Sequence, residues 1–241
     1  MEIEVDKPVP DWNILLVSDL HLGTMTPTLL QKQVETMNAL QPDLVLMVGD
    51  QFELSPKDVE QAGYSEVLRS IQAPQGVFVV NGNHEVRHGY LRMQNYAADF
   101  YKTMNMYLLS DTSIVLDNQL TLIGRMDTMR GVKRRSLESI MANTPKDIPN
   151  ILLDHQPLDL AAAQHCDIDL QLSGHMHNGQ LFPMNMVQWA KCLFNRKLHY
   201  GYRKMGNTNY YVTAGLGGSG APIRIGTTGE IVLIRFKQKT P

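Results

Sequence analysis

Five stretches of this chain gather metal-type side chains at short spacings. They are Asp19-Leu20-His21, Gly49-Asp50, Gly82-Asn83-His84-Glu85, Asp154-His155 and Ser173-Gly174-His175-Met176-His177. The last is the sharpest. Residues two apart in an extended chain point the same way, and two imidazoles on one side suit a metal bound through neutral ring nitrogens. Taken singly, each stretch has a plainer reading: Asp19 as a turn former, His21 as a loop histidine, His175 and His177 as turn histidines. What they share is position, because each follows a short apolar run.

Those runs cover residues 13–17, 43–48, 76–80, 150–153 and 168–172, and their length and apolar content predict buried strands. Helices fall between them. Thr26 is expected as an N-cap with Pro27 in the first turn, then Leu30, Val34 and Met37 as a buried stripe that ends before Pro42. A second helix is expected over 56–71 with Val59, Gly63, Val67 and Leu68 inward, and a third over 90–103. Strand–helix–strand units with continuously apolar strands predict an α/β fold, parallel and covered on both faces. The rhythm then changes. Runs at 107–109, 113–116 and 120–123 have tight polar breaks, with a hairpin turn at Asp117-Asn118. A basic helix is expected at 133–141, a short one at 158–163, and strands at 209–213 and 230–236.

Parallel strands present their carboxyl ends on one edge, where α/β sheets bind ligands. Asp19, His21, Asp50, Asn83, His84, His155, His175 and His177 therefore converge on one rim. Asp and His crowded there are costly unless paired or coordinated. Setting His84 aside, the seven remaining donors exceed what one zinc ion uses. They fit two divalent ions sharing a bridging carboxylate, roughly 3.5–4 Å apart. Such a centre stays cationic with Asp19 and Asp50 present, attracts phosphate and activates water. Paired metals also suit amide hydrolysis, so the residues alone leave an amidase or peptidase open. Mn, Fe and Zn all suit these ligands.

In this order, Asp19-Leu20-His21, Gly49-Asp50, Gly82-Asn83-His84-Glu85, His155 and Gly174-His175-Met176-His177 resemble the five motifs of the calcineurin-like metallophosphoesterases. The resemblance runs over residues 13–235. It implies a two-sheet β-sandwich flanked by helices, here as one domain over 1–241. It also implies roles: Asp19, His21 and His177 on one metal, Asn83, His155 and His175 on the other, Asp50 bridging, and His84 facing the substrate. The implied activity is hydrolysis of a phosphodiester, pyrophosphate or phosphomonoester bond by in-line attack of a metal-bridging hydroxide. A non-catalytic metal-binding interaction module on the same fold is the competing class, and it should have lost ligands or His84.

Residues 174–183 and 214–225 resemble a bacterial branch whose catalytic domains commonly follow membrane helices. Some of its members act on lipid-linked phosphates. That implies a small-molecule or lipid-linked phosphate ester as substrate. Two features depart from the family pattern. Glu53 stands where an Asp is common, and Met176 and Asn178 replace small residues around the paired histidines.

Composition narrows the rest. The chain has 241 residues, a net charge of -2 and a sequence pI near 6.4, so no basic footprint points to nucleic acid. Cys166 and Cys192 fit neither a zinc spacing nor a disulfide framework. Residues 1–10 are acidic and lack the apolar region of a signal peptide, and no run reaches membrane-spanning length. The expectation is a soluble chain, cytoplasmic or peripheral to a membrane, which could be part of a longer protein.

Further residues have paired readings. His88 is a substrate contact or a loop histidine, while His165 and His199 are structural or exposed. Arg87, Arg125 and Arg130 could fork onto a phosphate or be solvated charge, and Asp127 is placed at the rim. Lys133-Arg134-Arg135 reads as a solvated helix face, with anionic lipid contact as the sharper alternative. The glycine run at 214–220 lacks the Lys-Ser/Thr ending of a phosphate-binding loop and reads as a tight loop near the metals. Residues 182–202 mix Trp, Phe, Tyr and Met with basic residues, as a packed lid or as an interfacial segment with peripheral membrane contact.

Overall fold

Strands with apolar residues on both faces need cover on both faces, and this chain supplies it with two sheets and two helical layers. The computed structural model describes residues 1–87, 94–129, 133–194 and 199–239. One sheet holds β1 (Glu2–Val5), β2 (Trp12–Val17), β3 (Leu44–Val48), β4 (Val77–Val80), β5 (Met106–Leu108) and β12 (Val232–Gln238), in the order β1-β12-β2-β3-β4-β5. The other holds β6 (Thr112–Leu116), β7 (Leu120–Gly124), β8 (Asn150–Leu153), β9 (Leu170–Ser173), β10 (Gly201–Met205) and β11 (Thr208–Val212), in the order β10-β11-β9-β8-β7-β6. β2 to β5 run parallel, as do β7, β8, β9 and β11.

Alternation along each strand divides the core. Ile14, Leu16, Leu44, Leu46, Val48 and Val80 meet Leu122, Ile151, Leu153, Leu170 and Leu172 between the sheets. Leu15, Val17, Val45, Met47 and Val79 face helices on the outside of the first sheet. Ile123, Leu152, Tyr210 and Val212 pack under Leu137, Ile140 and Ala163 outside the second. Truncating a central residue such as Leu46 to Ala would cost about 2–5 kcal/mol. The expected two-sheet sandwich with flanking helices is thus present.

α1 (Pro27–Ala39) matches its prediction. The Thr26 hydroxyl accepts from the Leu29 amide, and Leu30, Val34 and Met37 are buried. The helix expected over 56–71 is instead two, α2 (Pro56–Gln61) and α3 (Tyr64–Arg69). Gly63 between them takes a left-handed φ of 81°, which ends one helix and starts the next. α4 (Asn83–Arg87) and α5 (Gln94–Thr103) follow. The β6–β7 hairpin turns at Asp117 and Asn118, both with positive φ, as a primed turn requires.

The basic helix expected at 133–141 is shorter, α6 (Leu137–Met141), capped by Ser136. Lys133-Arg134-Arg135 precedes it, so the cluster is not on a helix, although Lys133 and Arg135 are exposed. Arg134 is half-buried, with Nη1 2.9 Å from Asp154 Oδ1 and Nη2 2.6 Å from Asp159 Oδ2. α7 (Leu160–His165) and α8 (Met184–Phe194) complete the set. Among the described residues no helix is long and apolar enough to cross a membrane.

Candidate metal centre

The carboxyl ends of β2, β3 and β4 in one sheet and of β8 and β9 in the other open on the same rim. A cross-sheet bond fixes their approach: His155, just past β8, donates Nδ1–H to the Val48 carbonyl at the end of β3, 2.7 Å away. That bond sets the tautomer and leaves Nε2 for a ligand. The loops do not continue the strands. Asp19, His21, Asp50, His175 and His177 all have left-handed φ, between 48° and 68°. Non-glycine residues avoid this region unless the surroundings impose it, and such positions cluster at functional sites. The histidine pair is therefore not held in an extended chain. His175 and His177 are aimed by turns, and they point to different places.

Two groups of side chains result. Asp19, His21 and His177 bring one ligand atom each within 4.8 Å of one another, and so do Asp50, His155 and His175. In the first, His21 Nε2 and His177 Nε2 are 3.0 Å apart, and His177 Nε2 lies 3.3 Å from Asp19 Oδ1. In the second, His155 Nε2 lies 3.2 Å from Asp50 Oδ2, off the line of a hydrogen bond. Asp50 Oδ2 is also 4.0 Å from His21 Nε2 and 3.9 Å from His84 Nε2, so one oxygen faces both groups. Its other oxygen accepts from the His84 amide at 2.8 Å. Asn83 contributes a buried Oδ1 with no hydrogen-bond partner. Converging bare nitrogens and an orphaned amide oxygen are costly without a cation, and nitrogen and oxygen donors of this kind fit divalent metal. Six of the seven sequence-predicted ligands and His84 thus come together, with Asn83 next to His84 in the chain. His84, Asp50 and His21 also lie within ligating range of one another, so proximity alone does not divide ligands from acid.

Two residues around the ligands carry no local sequence signal of what they do, Glu85 and Arg224. Glu85 is fully buried and accepts from the amides of Asp50, Phe52 and Gly82, tying the β3 and β4 exits together. Burial and the neighbouring Asp50 push its carboxyl upward, against the pull of those amides. Gly82 is required there, since a Cβ would run into the Asp50 carboxylate. Gly174 is required similarly, against Ser18 and Asp19. Arg224 threads the glycine-rich loop: its guanidinium donates to the carbonyls of Ala214, Gly217 and His177. Only contacts distant in sequence reveal it. The loop itself borders the centre, with Gly217 N donating to the Asp19 carbonyl at 2.9 Å.

Glu53 is the larger departure. One oxygen is 2.5 Å from His21 Nδ1 and the other 2.8 Å from His84 Nδ1. A single carboxylate thus orients a ligand histidine and the substrate-facing histidine. Burial would raise Glu53, but the two imidazoles hold it down to about 2. Electrostatics elsewhere separate the histidines. Burial opposes charge on His155, yet Asp50, Asp19 and Asp127 together raise it well above its ordinary value. His175 is lowered to about 4 by burial and by His155. Burial would raise Asp50, but His155 and His84 pull it below the usual carboxylate range.

Other expectations resolve differently. Arg125 is buried and bonded to Asp159 and to the Arg135 carbonyl, so it is not a free phosphate fork. Asp127 is buried against Gln156, the residue after His155. His88 and Arg130 lie outside the described residues, and of the Arg87 side chain nothing is described. His199 is buried and His165 is not.

The profile of the calcineurin-like phosphoesterases matches residues 13–179. An uncharacterised metallophosphoesterase of Campylobacter jejuni is 31% identical over 99% of this chain, which spans 63% of that protein. A Danio rerio protein named as a transmembrane protein with a metallophosphoesterase domain is 31% identical over 99% of this chain, which spans 56% of it. The crystal structure of the Thermus thermophilus protein TT1561 shares the fold, with a TM-score of 0.54 at 14% identity, covering 86% of this chain and 90% of the other.

Proposed function

The chain belongs to the calcineurin-like phosphoesterase family, and from that premise we propose that it is a dinuclear-metal phosphohydrolase. Its substrate is a phosphodiester, pyrophosphate or phosphomonoester. The observation that carries this reading is the pair of His/Asp clusters that meet at Asp50 Oδ2. Asp19, His21 and His177 would hold one divalent ion, Asn83, His155 and His175 the other, with Asp50 between them. When bound, the ions would supply Lewis-acid polarisation of the phosphoryl group and activation of water.

The protein's own groups do the rest. His155, through the Val48 carbonyl, and His21, through Glu53, keep Nε2 turned inward. Ser18 donates to Asp19 Oδ2 at 2.6 Å and the His175 amide reaches the same carboxylate, which fixes its rotamer. His84 Nε2 lies 3.9 Å from Asp50 Oδ2. With Nδ1 bonded to Glu53, a doubly protonated imidazole there can give its Nε2 proton to the departing oxygen and return to neutral.

The test is metal analysis of the purified protein, joined to assays of soluble phosphodiesters and phosphomonoesters with Mn²⁺ added. Two metals per chain and hydrolysis of at least one class are expected. Fewer than two metals with no hydrolysis would sink the reading.

A further inference from the structure

α8 is inside out. Surface helices ordinarily turn an apolar stripe to the core and polar residues to water. Here Met184, Met186, Val187 and Trp189 are 41% to 59% exposed, while Asn185 and Gln188 are half-buried and Gln188 Oε1 is fully shielded. The apolar surface does not stop at the helix. Phe182, 58% exposed, is joined through its amide to the Ile225 carbonyl, and Ile223 and Ile225 are exposed beside it. The ridge is rooted in the metal centre, since Arg224 between those isoleucines donates to the His177 carbonyl at 3.0 Å.

The same stretch of chain is basic. Residues 170–229 contain six basic and no acidic side chains, so the rest of a chain of net charge -2 carries -8. Lys191 on α8 and Arg203 and Lys204 on β10 are exposed, with Tyr202 between aromatic and basic neighbours. An apolar ridge with Trp189 and Phe182, carried on a basic stretch of chain with Lys191 exposed on the helix itself, matches the interfacial zone of an anionic bilayer. Its apolar residues enter the acyl boundary while Lys and Arg meet phosphates.

We propose that α8 and the 222–226 loop form a face that docks on an anionic phospholipid bilayer, holding the metal centre at the headgroup plane. The substrate class this implies, a phosphoester carried in or on a lipid layer, rests on the hydrolase reading above; the docking itself does not.

The test is co-sedimentation with phosphatidylcholine vesicles, with and without phosphatidylglycerol, while tryptophan emission is followed. Binding is expected only when phosphatidylglycerol is present, weakening with salt. A blue shift should come from Trp189, because Trp12 is already buried. The Met186→Glu/Trp189→Glu double variant should lose about tenfold or more in partitioning, because it sets two like charges against an anionic surface and removes the inserted side chains. It should keep its metals and its hydrolysis of a soluble ester. Equal partitioning of parent and variant, equal binding to both vesicle types, or no binding with the ridge buried in a dimer would each overturn the proposal. Vesicle binding by a protein that hydrolyses nothing would support the docking and count against the hydrolase reading alone.

Discussion

Replacing Glu53 by Gln tests whether one carboxylate couples a metal ligand to the leaving-group acid. The parent side chain receives His21 Nδ1 at 2.5 Å and His84 Nδ1 at 2.8 Å. A glutamine oxygen can serve one of them, and its NH₂ then confronts the other donor. A hydrogen bond to a charged group is worth about 1.5–3 kcal/mol. Glu53 is partly exposed, with 19% of its side chain open, so the low end applies. Losing the His21 contact should weaken metal binding roughly 10-fold or more, as for other residues that orient metal ligands. Losing the His84 contact should slow alkyl esters by about 10-fold while sparing activated aryl esters, whose leaving groups need no proton. The assay is kcat on both substrates at saturating Mn²⁺, beside a metal titration. Equal losses on the two substrates with unchanged metal affinity would refute the coupling.

Other contacts make equally specific predictions. His84→Ala should keep both metals and lose rate, whereas Asp50→Ala should lose metal and rate, as read by metal analysis and kcat. His177→Ala should impair the site with Asp19 and His21, and His175→Ala the site with Asp50 and His155; competitive titration with a chromogenic chelator distinguishes them. In the metal-free protein His155 is raised well above its ordinary value, so it carries a proton near neutral pH that metal must displace. Affinity should therefore climb as pH rises above His155's ordinary range, with proton uptake by buffer seen in calorimetry; a flat profile would contradict it. Arg134→Ala strips the close partner from fully buried Asp154, leaving Arg125 at 3.6 Å. About 3 kcal/mol should be lost, a fall in Tm of roughly 6–12 °C for a chain of this size by calorimetry.

Much of the framework is legible in local pattern because local energetics decide it. Thr26-Pro27 with Leu30, Val34 and Met37 specifies α1 by capping and periodicity. The five apolar runs specify strands because both faces are buried. Strand exits then gather the ligands through topology alone. What pattern misses depends on tertiary contact. Gly63 breaks a helix that periodicity alone would carry through. Arg134 and Arg125 look like surface charge until Asp154 and Asp159, 20 to 34 residues on, fold over them. Glu53 reads as a mild substitution until His21 and His84 meet at its two oxygens. The spacing of the paired histidines reads as one side of an extended strand; left-handed turns at His175 and His177 assign them to two clusters.

Two ions astride Asp50 are the core of this reading, and anomalous diffraction from crystals soaked in Mn²⁺ addresses it most directly. Two peaks are expected roughly 3.5–4 Å apart, as two-metal hydrolases have them. One should lie against Asp19, His21 and His177, the other against Asn83, His155 and His175, with Asp50 touching both. A single peak, or a pair that leaves Asp50 uncoordinated, would contradict it.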